Sequence, residues 1–88
     1  EPYNFLGITA SGWFFFMIAD EFGYTVQMVQ EDGQKILKRH FDVDRSKILY
    51  YSFNLSDNGI ISALFAKKDE AVVNWWRTDQ QIDAIRKN

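Results

Sequence analysis

The sequence predicts an all-β fold built from two successive antiparallel meanders, and three observations predict it. Short runs rich in aromatic and β-branched residues are separated at close intervals by glycine-bearing turns, at Ser11-Gly12, Asp32-Gly33 and Asn58-Gly59. Two of those runs, Trp13 to Ala19 and Ile60 to Ala66, are nearly continuously apolar, whereas the runs that follow them alternate. The order turn, strand, turn, strand then occurs twice, once from Ser11 to Gln30 and again from Ser52 to Asp79.

Each element follows from its residues. Tyr3 to Ala10 is predicted as the first strand, with Gly7 marking a bulge or a close approach of backbone. Trp13 to Ala19 is a second strand, because seven residues between turn signals are too few for a helix. Being apolar on both faces, it should be covered on both. Asp20 to Gly23 turns the chain into Tyr24 to Gln30, where Tyr24, Val26 and Met28 share one face. Asp32-Gly33 leads to Ile36 to Val43, an outer strand with Leu37, Arg39, Phe41 and Val43 on one side and Ile36, Lys38, His40 and Asp42 on the other. Asp44-Arg45-Ser46 breaks the pattern before Ile48 to Leu55, and Asn58-Gly59 turns that strand into Ile60 to Ala66. Lys67 to Glu70 turns the chain again into Ala71 to Arg77. The tail from Gln80 is expected to be helical or irregular, capped by Thr78 or Asp79.

Composition limits the function classes. The 88 residues make one domain at most, and 47% hydrophobic with 17% aromatic content excludes intrinsic disorder. A net charge of -2 with no basic run argues against a nucleic-acid partner. No apolar stretch approaches the roughly 20 residues of a membrane-crossing helix. With no cysteine, disulfides, thiol nucleophiles and Cys-based metal sites are absent. The chain begins at Glu1 without an initiator Met, as a processed or excised polypeptide would.

Sliding the chain on itself by about 47 residues, near the repeat length of propeller blades, lays Ser11-Gly12-Trp13 on Asn58-Gly59-Ile60. It also superposes the two apolar strands, Asp20-Glu21 on Lys67-Lys68, and Tyr24 to Gln30 on Ala71 to Arg77. A four-stranded meander recurring at that spacing resembles β-propeller blades, particularly the six-bladed bacterial group with NHL-type repeats. The Asp32-Gly33 turn also resembles the one common between the outer strands of that family. The resemblance implies a first blade over 3–43, a second and incomplete blade over 47–79, and a tail over 80–88. It also implies a frequently secreted or lipid-anchored, extracytoplasmic setting. Two blades alone leave two faces uncovered, since such units need about three neighbours for stability. The partners expected are therefore other blades, or further copies of this chain. A single small closed β-barrel or sandwich is the alternative.

No residue set forms a catalytic constellation. His40 is the only histidine and falls on the polar side of an outer strand. Asp42 to Ser46 is similar to the start of an EF-hand loop, but Lys47 stands at the glycine position and Phe53 at the bidentate glutamate position. Asp20 with Glu21 and Asp69 with Glu70 are ordinary turn acids. No metal or other cofactor is expected. Trp13 is read as core, and one of Tyr50 and Tyr51 could face a central channel. The candidate ligand-binding set is Trp75, Trp76, Arg77 and Asp79, where one tryptophan should pack inside and the other stack on a ligand beside arginine. The expectation is a non-enzymatic propeller segment that binds protein or other ligands. The alternatives are a small oligomeric carbohydrate-binding lectin and a piece of a propeller hydrolase whose catalytic residues lie outside this chain.

Overall fold

Alternating apolar residues make strands only where a second surface buries one face, and that is how the seven runs are used. In the computed structural model, residues 3–33 and 36–78 are described. They form β1 (Asn4–Ile8), β2 (Phe14–Asp20), β3 (Gly23–Val29), β4 (Ile36–Asp42), β5 (Tyr50–Leu55), β6 (Ile60–Ala66) and β7 (Ala71–Arg77), with a 3₁₀ turn at Arg45–Lys47. All neighbours are antiparallel, in two sheets ordered β1-β2-β3-β4 and β5-β6-β7. The fold is thus all-β, and it is not a closed barrel. The expected tail over 80–88, and any fourth strand it would supply, lie outside the described residues. No described helix is long and apolar enough to cross a membrane.

The sheets pack face to face around one core. The first contributes Phe15, Met17, Tyr24, Val26, Met28 and Phe41, the second Ile61, Ala63, Phe65 and Trp76, and Trp13 joins them. Tyr24 is the centre of the contact. Its ring stacks on Phe65 at 5.5 Å, lies 4.8 Å from Tyr51 and meets Phe53 edge-on at 5.6 Å. Phe41 meets Phe53 and Phe65 in the same cluster. From outside, Arg45 lays its guanidinium 5.5 Å over the Tyr24 ring and donates to the Asp20 carbonyl, which fixes the connection between the sheets. At the head of β3 the strands come so close that a Cβ on Gly23 would lie 2.1 Å from the Phe41 carbonyl oxygen.

The two sheets repeat one construction. In the β1–β2 turn the Gly12 amide donates to the Thr9 carbonyl, the Thr9 amide to the Trp13 carbonyl, and the Trp13 amide to the Thr9 hydroxyl. In the β5–β6 turn Gly59 donates to Ser56, Ser56 to Ile60, and the Ile60 amide to the Ser56 hydroxyl. Gly12 has φ 90° and Gly59 φ 92°, and among the described residues no other residue type takes a positive φ. These are turns closed by a left-handed glycine, not type I′ turns, which would need a positive φ at Ser11 and Asn58 too. The registers repeat as well. Phe14↔Val29 in the first sheet recurs as Ile61↔Trp76 in the second, and Phe16↔Gln27 as Ala63↔Asn74, 47 positions on for every member. Ile8↔Phe14 recurs likewise as Leu55↔Ile61.

An odd displacement has a consequence for the faces. Side chains alternate across a strand, so shifting by an odd number moves from one face to the other. Phe15, Val26 and Met28, all buried, correspond to Ser62, Val73 and Trp75 on the outer side of the second sheet. The surface that the first sheet turns inward is therefore the counterpart of the one the second sheet turns outward. The sheets are stacked front to back, not related by a two-fold axis. One expectation changes accordingly: the doubly apolar strands are covered on one face only, with Phe15 and Met17 buried and Phe14 and Phe16 half-exposed.

Tyr24→Ala should lower the unfolding free energy by about 3–5 kcal/mol, as for other large aromatic truncations in a core. That is a large share of the roughly 5–15 kcal/mol of an ordinary domain. Urea unfolding measures it, and a loss under about 1 kcal/mol would show that the sheets do not depend on this ring.

Candidate functional site

The Trp75-Trp76-Arg77 cluster lies on β7, the last described strand of its sheet, and the strand splits it as alternation requires. Trp76 is buried between the sheets at 5% exposure, opposite Ile61. Trp75 points the other way at 59% exposure, opposite Ser62, with Arg77 on the same outer face opposite Ile60. Asp79 lies outside the described residues. Immediately after the strand comes Thr78, which is fully buried and donates from both its amide and its hydroxyl to the Gly59 carbonyl. That tie anchors the end of β7 to the β5–β6 turn and holds the Trp75 face in place.

The outer face of the second sheet is mixed. Trp75 and Val73 from β7 are joined by Leu64 from β6 and Tyr50 from β5, with Ser52, Asn54 and Ser62 between them. Tyr50 and Tyr51 separate in the same way: Tyr51 turns inward against Tyr24 and Phe53, while Tyr50 is exposed. The outer face of the first sheet carries a second apolar surface made by Tyr3, Phe5, Ile8, Phe14, Phe16 and Ile18, in which Phe16 packs against Tyr3 and Phe5. This set is absent from the sequence-derived candidates. Its signal was the apolar outer side of Trp13 to Ala19, together with the Gly7 bulge, where the β1 register shifts between Phe5 and Gly7.

The remaining candidates are occupied structurally. His40 Nε2 lies 3.2 Å from the Phe22 carbonyl, which only accepts, so Nε2 carries a proton. Its Nδ1 meets the Thr25 hydroxyl at 2.9 Å, so both nitrogens are engaged across the β3–β4 pair. The Asp42–Ser46 stretch forms a capped turn, with Asp44 accepting from the Ser46 amide at 3.1 Å and from the Ser46 hydroxyl at 2.6 Å. No group of three or more metal-ligating side chains converges among the described residues. Asp20 accepts from the Phe22 amide within its own turn. Asp69 and Glu70 line an open depression of about 370 Å³ with Lys47, Lys67 and Lys68, where charges of both signs mix.

The Asp44 carboxyl is held below its usual value of 3.8, first by the Ser46 hydroxyl, then by the Ser46 amide, with the Lys47 and Lys67 charges adding to them. A lowered folded pKa contributes stability above the unfolded value, and that contribution is lost as pH falls through the folded one. An NMR titration should place the Asp44 midpoint below 3.8, and Ser46→Ala should raise it. A midpoint at or above 3.8 that ignores Ser46→Ala would contradict the cap.

Comparison of the chain with protein-family models, with curated proteins and with solved structures finds no match.

Proposed function

We propose that the chain is a pair of β-propeller-type repeats that works without catalysis, as a scaffold whose open surfaces bind protein or other ligands. The observation that carries this reading is the recurrence of one turn and one register 47 positions on, with front-to-back stacking. Stacked repeats need that arrangement, because each unit must present to the next the face that its predecessor presented to it. A two-fold sandwich would bury equivalent faces, and here the buried faces are not equivalent. The adjacency of β1 and β5, the first strands of the two sheets, fits strands gathered about a common axis. Reading the chain as non-enzymatic is supported by the engagement of His40 in the strand ladder and of Asp44 in a cap. The bacterial, extracytoplasmic setting follows from the propeller likeness alone.

If the two turns are repeats of one unit, they are interchangeable. Replacing Thr9, Ala10 and Ser11 by the Ser, Asp and Asn of their counterparts should cost no more than about 1 kcal/mol, because the one buried change, at Thr9, keeps the hydroxyl and removes a single methyl. A loss above about 2 kcal/mol in thermal or urea unfolding would contradict the repeat.

A second reading, carbohydrate binding, is favoured by the exposure of the Trp75 indole with Arg77 on the same face. It gives Trp75 the stacking role and leaves Trp76 in the core. On a glycan array, binding should then be lost in Trp75→Ala and kept in His40→Ala. Absence of binding by the unmodified chain would remove this reading.

A further inference from the structure

We propose that the two open sheet faces are complementary halves of one interface, and that the partner they fit is a second copy of this chain, stacked front to back as the two sheets already are. This rests on the repeat reading above and names the partner of those surfaces.

The displacement of 47 positions assigns a counterpart to every residue of the internal contact. On the second sheet, the inward half of that contact is Ile61, Ala63 and Phe65 from β6, Val72, Asn74 and Trp76 from β7, and Phe53, Leu55 and the 41%-exposed Tyr51 from β5. Its counterparts on the open face of the first sheet are Phe14, Phe16 and Ile18 from β2, and Thr25, Gln27 and Val29 from β3. In β1 the bulge advances the register by one, so that Phe5 pairs with Phe16 just as Phe53 pairs with Ala63. Phe5 and Ile8 thereby take the places of Phe53 and Leu55, and Tyr3 stands two residues before Phe5 as Tyr51 does before Phe53. Chemistry is kept at these positions except Thr25, the counterpart of Val72, and the polar Gln27 matches Asn74. Yet Tyr3, Phe5 and Ile8 are 57%, 57% and 52% exposed in the single chain.

The other half behaves in the same way. Val26 and Met28, fully buried in the internal contact, have Val73 and Trp75 as counterparts, at 48% and 59% exposure. The correspondence on this face is partial: Leu64 stands where Met17 does, whereas Phe15 and Tyr24 have Ser62 and Ala71 as counterparts, so Val73, Trp75 and Leu64 carry its apolar contact. Exposed apolar clusters of this kind mark association surfaces, and tryptophan and tyrosine dominate such contacts. One identical copy carries the counterpart of each face, with Val73, Trp75 and Leu64 of one copy set to meet Tyr3, Phe5, Phe14 and Phe16 of the next. The contact is heterologous, since different patches meet. It also specifies a hydrogen bond. Within the chain the Ala10 amide donates to the Asp57 carbonyl between the two equivalent turns. Between copies the Asp57 amide would donate to the Ala10 carbonyl of the second copy.

Light scattering on a sizing column tests this with face-selective variants. The unmodified chain should run above its 10.4 kDa monomer mass at micromolar concentration. Trp75→Asp and Phe5→Asp should each fall to 10.4 kDa while keeping the far-ultraviolet spectrum of the parent. Mixed in equal amounts they should form a two-chain species, because each keeps the face that the other lacks. As a check independent of those folds, chains carrying Tyr3→Cys and Ala71→Cys should cross-link to each other on air oxidation in an otherwise cysteine-free protein. These are the counterparts of Tyr51 and Tyr24, whose rings lie 4.8 Å apart. Neither variant should cross-link efficiently to itself. A monomeric parent at every concentration, or variants that fail to complement when mixed, would overturn the proposal. If the turn exchange is tolerated while the parent stays monomeric, the second-copy proposal fails and the repeat reading stands.

Discussion

The structure depends on the seating of Tyr24 among Tyr51, Phe53 and Phe65. A single layer of three or four strands buries its apolar face only by packing on something else. Here that something is the other sheet, and the aromatic cluster is where they meet. Aromatic pairs contribute about 0.5–1.5 kcal/mol each beyond the area they bury. Several pairs sharing one ring make Tyr24 the point where the loss of one side chain uncouples the most. Arg45 closes the cluster from the solvent side and ties the inter-sheet connection to the β2–β3 turn, so the linker that joins the sheets also covers their contact.

That contact is made by unlike faces of like units. Because one sheet corresponds to the other at an odd displacement, each strand exchanges its inward and outward side chains between repeats. The chain consequently has an apolar surface left over at each end of the stack. The two leftover surfaces are not alike: the one on the first sheet is apolar across β1 and β2, and the one on the second is mixed, with Trp75 and Val73 where Met28 and Val26 stand inside. A bulge in β1 supports this: without the extra residue at Leu6, Phe5 would not fall in the place that Phe53 takes in the second sheet. Trp75 stands on the second sheet where Met28 stands on the first.

Most of the architecture was legible because it rests on period and turn chemistry. Ile60 to Ala66 and Ala71 to Arg77 are strands with the bounds that the residues suggested, and Tyr24, Val26 and Met28 share the buried face. The repeat spacing was readable from Ser11-Gly12 and Asn58-Gly59, whose glycines hold nearly equal positive φ. Ile48 and Leu49 were read as strand because they are apolar. Instead the Ile48 amide closes the 3₁₀ turn on the Arg45 carbonyl, a local bond that residue type does not reveal. Likewise the Trp75-Trp76 pair was split correctly in principle, but which indole faces inward depends on pairing with Ile61. Least legible was the open face of the first sheet. Trp13 to Ala19 is apolar throughout, and only the packing tells which of its sides this chain covers and which it leaves open.

The central claim, two units displaced by 47 positions and stacked front to back through Tyr24, is tested most directly by proton–proton NOEs in solution. Under this account the Tyr24 ring gives NOEs to the rings of Tyr51 and Phe65, and the Phe14 and Val29 pair is matched by the Ile61 and Trp76 pair across their strands. NOEs from Tyr24 to Tyr50, Val73 or Trp75 within one chain would mean that equivalent faces meet, and would contradict it.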